Sequence, residues 1–185
     1  MVVQQIISLY EEKGGREYEG EGVSQLEHAL QAATHAERAG APPALVCAAL
    51  LHDIGHLLND KGDTPTLRGV DDEHQNAALP FLRGRFPAAV VEPIRLHVDA
   101  KRYLCAMRPG YFAALSDDSK RSLGLQGGIF IEGQAEAFIS QAGADRAVRL
   151  RVWDDQAKTA GLATPPLAHF LERARRCALA NEPAA

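Results

Sequence analysis

The 185-residue chain has little of several features that mark other protein classes. Aromatic residues make up only 6% of it, whereas Ala and Leu are abundant, so the composition favours helices over a β-sandwich. Its three cysteines are odd in number and form no C-x-x-C pair, which argues against a disulfide framework or a thiolate zinc site. We therefore expect one all-helical domain spanning residues 1–185.

The chain also lacks a strong charge of either sign and a long apolar run. Its formal net charge of −4 gives no general electrostatic case for nucleic-acid binding, although a local basic pocket could still bind a small anion. No window approaches the roughly 18 consecutive apolar residues of a membrane-spanning helix, and the N-terminal stretch has no basic leader. We expect a soluble, cytoplasmic protein with no membrane partner.

Helical patterns with start and stop signals follow one another along the chain. The first three predicted helices cover 2–13, the stretch from the capping box at Ser24 and Glu27 to Gly40, and Pro42–Pro43 through LVCAALLHDIGHLL. Later helices are predicted from about Asp71 to Gly84, through IRLHVDAKRYL after a short turn at Pro87, within 109–125, and over 132–140, 144–158 and 165–179. A hairpin around GGIFIEG is the one expected interruption.

Three ionisable residues, His52, Asp53 and His56, stand in the apolar stretch LLHDIGHLL. Burying them is costly unless they are paired or bound to a metal. Further candidate ligands recur on the neighbouring predicted helices, about one helix and one loop apart: His28, His74, His97 and Asp154. Helical bundles commonly build metal sites from residues that project inward on facing helices.

Four imidazoles and two carboxylates suffice for two metal ions if Asp53 bridges them. The first ion would then be bound by His28, His52, Asp53 and Asp154, and the second by His74, His97 and Asp53. This donor set suits non-haem iron and could also bind manganese or zinc. Two metals that share a ligand would lie about 3.5–4 Å apart, close enough to act on one substrate.

Other ionisable residues lack a comparable setting. We interpret His35 and His169 as exposed or packing residues. The carboxylates that we interpret as solvated or helix-end charges are Asp71, Asp72, Glu73, Asp99 and Asp155. Asp155 is the main alternative to Asp154 as a ligand.

The order His28, His52–Asp53 and Asp154 resembles the H…HD…D motif of the HD-domain superfamily, which consists mostly of metal-dependent phosphohydrolases with an all-helical fold. His74 and His97 resemble the additional ligands of its dinuclear branch, which includes hydrolases and mixed-valent diiron oxygenases. Several segments are similar to the organophosphonate oxygenases of that branch: YEGEGVSQLEHALQ, ALLHDIGHLL, RLHVDAKRYL, LGLQGG and VRLRVWDD. They are spread from residue 18 to residue 155.

The resemblance implies an HD-domain helical bundle that holds two iron ions as an Fe(II)/Fe(III) pair. Its partners would be dioxygen and a small phosphonate. The implied reaction cleaves the C–P bond of (R)-2-amino-1-hydroxyethylphosphonate to give glycine and phosphate. The resemblance also implies that the Tyr18 phenol caps an iron position until substrate displaces it, and that Glu21 accepts the substrate's ammonium group.

The phosphonate group would lie near a further set of residues that the resemblance implies: His56, Lys101, Arg151 and Ser119, with Ser122 as the competing choice for Ser119. Lys and Arg are natural partners of a phosphonate. Lys101 lies four residues after His97, and Arg151 three before Asp154, so each can share a helix face with a ligand. Taken alone, Lys101 and Arg151 would be solvated charges and REYEGEG a charged surface turn.

Other functions fit the same residues. An oxygenase of this branch for an N-trimethylated 1-hydroxyphosphonate would favour an aromatic cage around the cation. A metal-dependent phosphohydrolase would act on a phosphomonoester or nucleotide without dioxygen. A helical interaction module would leave the buried His and Asp residues unexplained.

Overall fold

A computed structural model of the chain describes residues 2–18, 20–59, 61 and 65–179. Over these ranges the secondary structure is helical, apart from an isolated bridge between Glu17 and Ser24. The α-helices are α1 (Val2–Lys13), α2 (Gln25–Arg38), α3 (Pro43–Leu51), α4 (Ile54–Leu58), α5 (His74–Ala77), α6 (Leu79–Leu82), α7 (Ala88–Met107), α8 (Tyr111–Ala114), α9 (Asp117–Leu125), α10 (Gln134–Ile139), α11 (Ala144–Gln156) and α12 (Leu167–Cys177). The all-α prediction is confirmed. None of the described helices is long and apolar enough to cross a membrane.

The central helix of the bundle is α3. All its residues from Leu45 to Leu51 are buried, and it packs against α2, α7, α11 and α12. A helix that is apolar on every side is stable only when other helices surround it. The most extensive helix contact is between α7 and α11. The C-terminal end of α3 therefore lies inside the bundle, next to the helices that carry the other candidate ligands.

One apolar cluster joins the two ends of the described chain. It includes Ile6 of α1, Leu50 of α3, Ile94 of α7 and Phe170 of α12. The three cysteines are free thiols, as expected from their spacing. Burial of this cluster is the main source of stability for the bundle.

The stretch that we predicted to be a single helix, the third in the chain, forms the two helices α3 and α4. Asp53 has φ −101° and ψ 12°, outside the α-helical region, so α3 ends before it and α4 begins after it. Gly55 then allows α4 to lie directly on the backbone of His74, because an added Cβ would be 1.9 Å from the His74 carbonyl oxygen. His52 and Asp53 thus lie at a break between helices.

Three other boundaries also differ from prediction. The segment from Asp71 to Gly84 forms the two short helices α5 and α6. Conversely, α7 is continuous through Pro93, which lies inside the helix and leaves one backbone hydrogen bond unmade. The hairpin prediction at 127–133 is wrong, because no described residue there belongs to a strand. Gly127 and Gly128 have φ of 95° and 71°, which an extended strand does not allow.

The start of α2 is set by the predicted capping box. The Ser24 N–H donates to Glu27 Oε2 at 2.7 Å, and the Glu27 N–H donates to Ser24 Oγ at 3.2 Å. Just before it the chain makes a tight loop, in which the Tyr18 N–H donates to the Val23 carbonyl oxygen and the Glu21 N–H donates to that of Tyr18. The loop brings Tyr18 back over the first turn of α2.

Candidate metal centre and active site

The six residues predicted as metal ligands lie together in two groups that share Asp53. In the first group, His28 Nε2 lies 3.1 Å from His52 Nε2, 3.4 Å from Asp53 Oδ2 and 3.4 Å from Asp154 Oδ1. In the second group, His74 Nε2 lies 3.0 Å from His97 Nε2 and 3.4 Å from Asp53 Oδ1. Ligand atoms about 2.1 Å from one metal ion would have similar mutual separations.

Backbone and carboxylate acceptors hold the four imidazoles with Nε2 pointing inward. Nδ1 of His28 donates to the Ala157 carbonyl oxygen at 2.8 Å, and that of His52 donates to Ala49 at 2.9 Å. His97 uses the Ile94 carbonyl oxygen and His74 the Asp72 carboxylate. In a neutral imidazole the other nitrogen then carries a lone pair, which is the state of a metal ligand.

The centre of the site contains more hydrogen-bond acceptors than donors. Asp53 Oδ1 and Asp154 Oδ1 are buried and have no hydrogen-bond partner among the described residues. Two pairs of Nε2 atoms also face each other at about 3 Å. Such a set of buried acceptors is stabilised by a cation at its centre. The residues present therefore fit bound metal ions.

The pKa shifts of Asp53, Asp154 and His97 agree with this interpretation, whereas that of His52 favours the protonated ring. Burial raises the pKa of Asp53 and Asp154, but positive partners, chiefly His52 and Arg151 respectively, hold both pKa values well below the ordinary range. Burial lowers the pKa of His97 to about 4. Burial also opposes the charged form of His52, yet the nearby carboxylates, mainly Asp53, raise its pKa to about 10. His52 would therefore release a proton when it binds a metal.

Two of the predicted substrate residues cover this centre. The Tyr18 ring stacks on the His28 ring, with centroids 3.8 Å apart and planes at 10°. The His56 ring stacks on that of His74 at 4.1 Å, and its Nδ1 lies 2.6 Å from Asp72 Oδ2. Tyr18 and His56 both line the cavity in front of the ligands.

Lys101 and Arg151, the two cationic residues predicted to bind the phosphonate, line the same cavity, and each contacts another side chain of the protein. Lys101 is buried, and its Nζ donates to Ser122 Oγ at 2.8 Å. Ser119 also lines the cavity, so the structure places both candidate serines there. Arg151 Nη1 lies 2.8 Å from Asp154 Oδ2, and the guanidinium also pairs with Asp155. Arg151 thereby leaves Asp154 Oδ1 to face the metal position.

Glu21 does not line this cavity among the described residues. Its Oε1 accepts a hydrogen bond from Ser116 Oγ at 2.5 Å and lies 2.8 Å from Lys158 Nζ. Lys158 therefore occupies the carboxylate that the resemblance assigns to the substrate's ammonium group. Sequence reasoning did not select Lys158.

Two carboxylates that we interpreted as solvated or helix-end charges form ion pairs at the site. Asp72 is buried and contacts both His56 and His74. Asp155 pairs with Arg151 and accepts a hydrogen bond from the Tyr111 hydroxyl. Of the two interpretations given for Asp72, the solvated charge is wrong because the residue is buried. The helix-end charge is correct, because its carboxylate accepts the N–H of His74, the first residue of α5, at 3.3 Å. The sequence signal that could have identified Asp72 is its position two residues before the candidate ligand His74.

Replacing Asp72 by alanine should weaken metal binding selectively in the His74–His97 group. The variant loses the acceptor that fixes the His74 ring, and such orienting partners typically contribute about 10- to 100-fold in metal affinity. Metal content after equilibrium dialysis measures the effect. Asp71→Ala, which removes the neighbouring carboxylate, is the control. Equal metal content in the Asp72→Ala variant and the wild type would contradict this role.

A histidine on α2, a His–Asp pair after α3 and an aspartate on α11, all in an all-helical bundle, define an HD-type metalloprotein. The chain matches the HD domain family over residues 26–114. It is 41% identical to hydroxymethylphosphonate dioxygenase of Gimesia maris over 94% of this chain and 88% of that protein. It is 37% identical to the glycine-betaine-forming [1-hydroxy-2-(trimethylamino)ethyl]phosphonate dioxygenase of Leisingera caerulea, over 95% and 89%.

An uncharacterized protein, L432 of Acanthamoeba polyphaga mimivirus, is 35% identical over 91% of this chain and 78% of its own length. The chain belongs to the HD-domain phosphonate dioxygenase family. It is therefore a dioxygenase. The resemblance to this family is confirmed.

Proposed function

We propose that the chain is a diiron oxygenase that converts a small 1-hydroxyphosphonate and dioxygen into a carboxylate and phosphate. Residues 1–185 would form one HD-type domain, with an Fe(II)/Fe(III) pair bound by the two ligand groups. The largest core cluster contains residues of both α1 and α12, which supports the one-domain proposal. The mixed His and Asp donors support iron.

The observation that carries this proposal is the position of Asp53 between two pairs of imidazoles. Its Oδ2 lies 3.3 Å from His52 Nε2 and its Oδ1 lies 3.5 Å from His97 Nε2. Each carboxylate oxygen thus faces a different histidine pair. This arrangement suits a bridging ligand between two metals that act on one substrate.

A bound iron pair would supply the redox chemistry with dioxygen. The protein's own residues bind and orient the substrate. Lys101 is a buried cation on the cavity, suited to a phosphonate oxygen, and Arg151 has more N–H donors than its contacts with Asp154, Asp155 and Tyr111 use. The Tyr18 ring covers His28 and keeps water from that side of the centre.

Two substrates are candidates within this class. The sequence resemblance implies (R)-2-amino-1-hydroxyethylphosphonate, which would give glycine and phosphate. Hydroxymethylphosphonate, which would give formate and phosphate, is favoured by the relative from Gimesia maris. The N-trimethylated analogue is less favoured, because Tyr18 is the only Phe, Tyr or Trp among the described residues that line the cavity, and a quaternary ammonium prefers an aromatic cage.

The test is phosphate release by iron-loaded protein from each of these three phosphonates and from a phosphomonoester, with and without dioxygen. We expect phosphate and the matching carboxylate from at least one phosphonate, only when dioxygen is present. Hydrolysis of the ester without dioxygen, with no turnover of any phosphonate, would contradict the proposal and indicate a phosphohydrolase.

Lys101→Met should raise KM for the phosphonate while leaving the metal content unchanged. A hydrogen bond to a charged group contributes roughly 1.5–3 kcal/mol, so kcat/KM should fall by about 10- to 150-fold. Lys61→Met is the matched control, because Lys61 is exposed and is not among the residues that line the cavity. An unchanged KM in the Lys101 variant would remove Lys101 from the phosphonate site.

A further inference from the structure

An ion pair that the metal centre does not use connects three distant parts of the chain. Lys158, two residues after α11, lies 2.8 Å from Glu21 Oε1 in the loop before α2. Its Nζ also lies 3.2 Å from the hydroxyl oxygens of Ser116 and Ser119 at the start of α9. Both charged side chains are mostly buried, with 16% and 15% of their surfaces exposed.

This ion pair is next to the substrate cavity. Ser119, which contacts Lys158, lines that cavity together with Tyr18. The Lys158 ammonium also lies 5.7 Å from the centroid of the Tyr18 ring, within the range of a cation–π contact. A substrate that displaced Tyr18 would therefore come close to the Lys158 ammonium.

The charges of Glu21 and Lys158 cancel each other at this end of the site. A substrate ammonium could bind Glu21 only by replacing an ammonium that is already tethered to the protein, which has the advantage of a high effective concentration. If Lys158 stayed in place, two cations would share one carboxylate in a poorly solvated place, where like charges repel strongly.

We propose that the Glu21–Lys158 ion pair makes the far end of the site neutral, so that the enzyme selects a 1-hydroxyphosphonate without a cationic group and rejects its amino and trimethylammonio analogues. This inference rests on the proposed function and specifies its substrate class. Lys101 and Arg151 bind the anionic end, and the opposite end accepts hydrogen or another small uncharged group. Glu21 and Lys158 are then specificity-determining residues.

The test compares the wild type with Lys158→Met, which leaves Glu21 without a cationic partner while the Ser116 hydroxyl still donates to it. We expect the wild type to have the higher kcat/KM for hydroxymethylphosphonate. In the variant, the ratio of kcat/KM for (R)-2-amino-1-hydroxyethylphosphonate to that for hydroxymethylphosphonate should rise by about tenfold or more, because removing a like charge changes discrimination by at least 1.4 kcal/mol.

Two further variants separate charge from structure. Lys158→Arg keeps the positive charge and should keep the wild-type preference. Lys61→Met removes a lysine that is exposed and should leave the ratio unchanged. A wild type that prefers the amino substrate, or a Lys158→Met variant with the wild-type ratio, would overturn the inference. If Lys158→Met does not fold, the inference is tested with the swap Glu21→Lys/Lys158→Glu, which restores an ion pair and should retain the preference.

A binding measurement keeps this test independent of turnover. Ethylphosphonate and 2-aminoethylphosphonate differ only in the amine and lack the 1-hydroxyl group, so titration calorimetry can compare their Kd values without a reaction. The wild type should bind ethylphosphonate more tightly, and Lys158→Met should reverse or abolish the difference. If no phosphonate is turned over but this pattern appears, the proposed function fails, and the result supports only the charge preference of the site. Tighter binding of the amine by the wild type overturns the inference alone.

Discussion

Replacing Asp53 by alanine is expected to abolish activity and remove both metal ions. Asp53 is the one residue that both ligand groups share, with Oδ2 facing His28 and His52 and Oδ1 facing His74 and His97. Without it, each group loses its bridging oxygen, and four imidazoles are left around a cavity with less negative charge. Metal analysis of the purified variant and its oxygen-dependent phosphate release measure the two effects.

Asp99→Ala is the control for this substitution. Asp99 is a carboxylate on α7 that pairs with Arg102 at the surface, and its removal should leave metal content and turnover unchanged. Circular dichroism distinguishes loss of metal from loss of fold in the Asp53 variant. If Asp53→Ala still held two metal ions with wild-type occupancy, the assignment of Asp53 as the bridge would be wrong.

Gly55→Ala is expected to destabilise the protein by about 3 kcal/mol or more and to disturb the His74–His97 group. An added Cβ would lie 1.9 Å from the His74 carbonyl oxygen and 2.6 Å from its carbonyl carbon. Both atoms belong to the backbone, so no side-chain rotation relieves the overlap, and α4 must move away from α5. Urea unfolding and metal content measure the result.

Gly124→Ala is the matched control, because it adds the same methyl group to a helical glycine with open space around it. Within the described residues no heavy atom lies within 4 Å of the added Cβ. Since alanine favours helix over glycine by up to about 1 kcal/mol, this variant should be as stable as the wild type or slightly more stable. An unchanged unfolding midpoint for Gly55→Ala would mean that α4 and α5 are not held in close contact.

Most of the helices could be predicted because their signals are local. The capping box at Ser24 and Glu27 forms within three residues, and the prolines at 42 and 43 start α3 as expected. The predictions failed where packing overrides local preference. The apolar run from Leu45 to Leu58 reads as one helix, yet the close approach of Gly55 to His74 accompanies a break at Asp53.

The candidate ligands could also be selected in advance, because ionisable residues in an apolar helix are costly unless a partner satisfies them. The residues that contact and orient these ligands could not be selected from the sequence. In the sequence DDEH nothing distinguishes Asp72 from the acidic residues beside it. Its buried contacts with His56 and His74 show that it orients these two rings. Arg151 was selected for the substrate, and the structure additionally shows it orienting Asp154.

The sequence was enough to indicate an all-helical protein with a metal centre. The signals were its composition, its helix periodicity and the His and Asp residues within apolar segments, and each of these signals can be read from residues close together in the chain. The contacts of Asp72 with His56 and His74 and the pairing of Glu21 with Lys158 depended on the tertiary structure. Glu21 and Lys158 are 137 residues apart, and no local pattern links them. Only the packing of α11 beside the loop before α2 brings these two charges into contact.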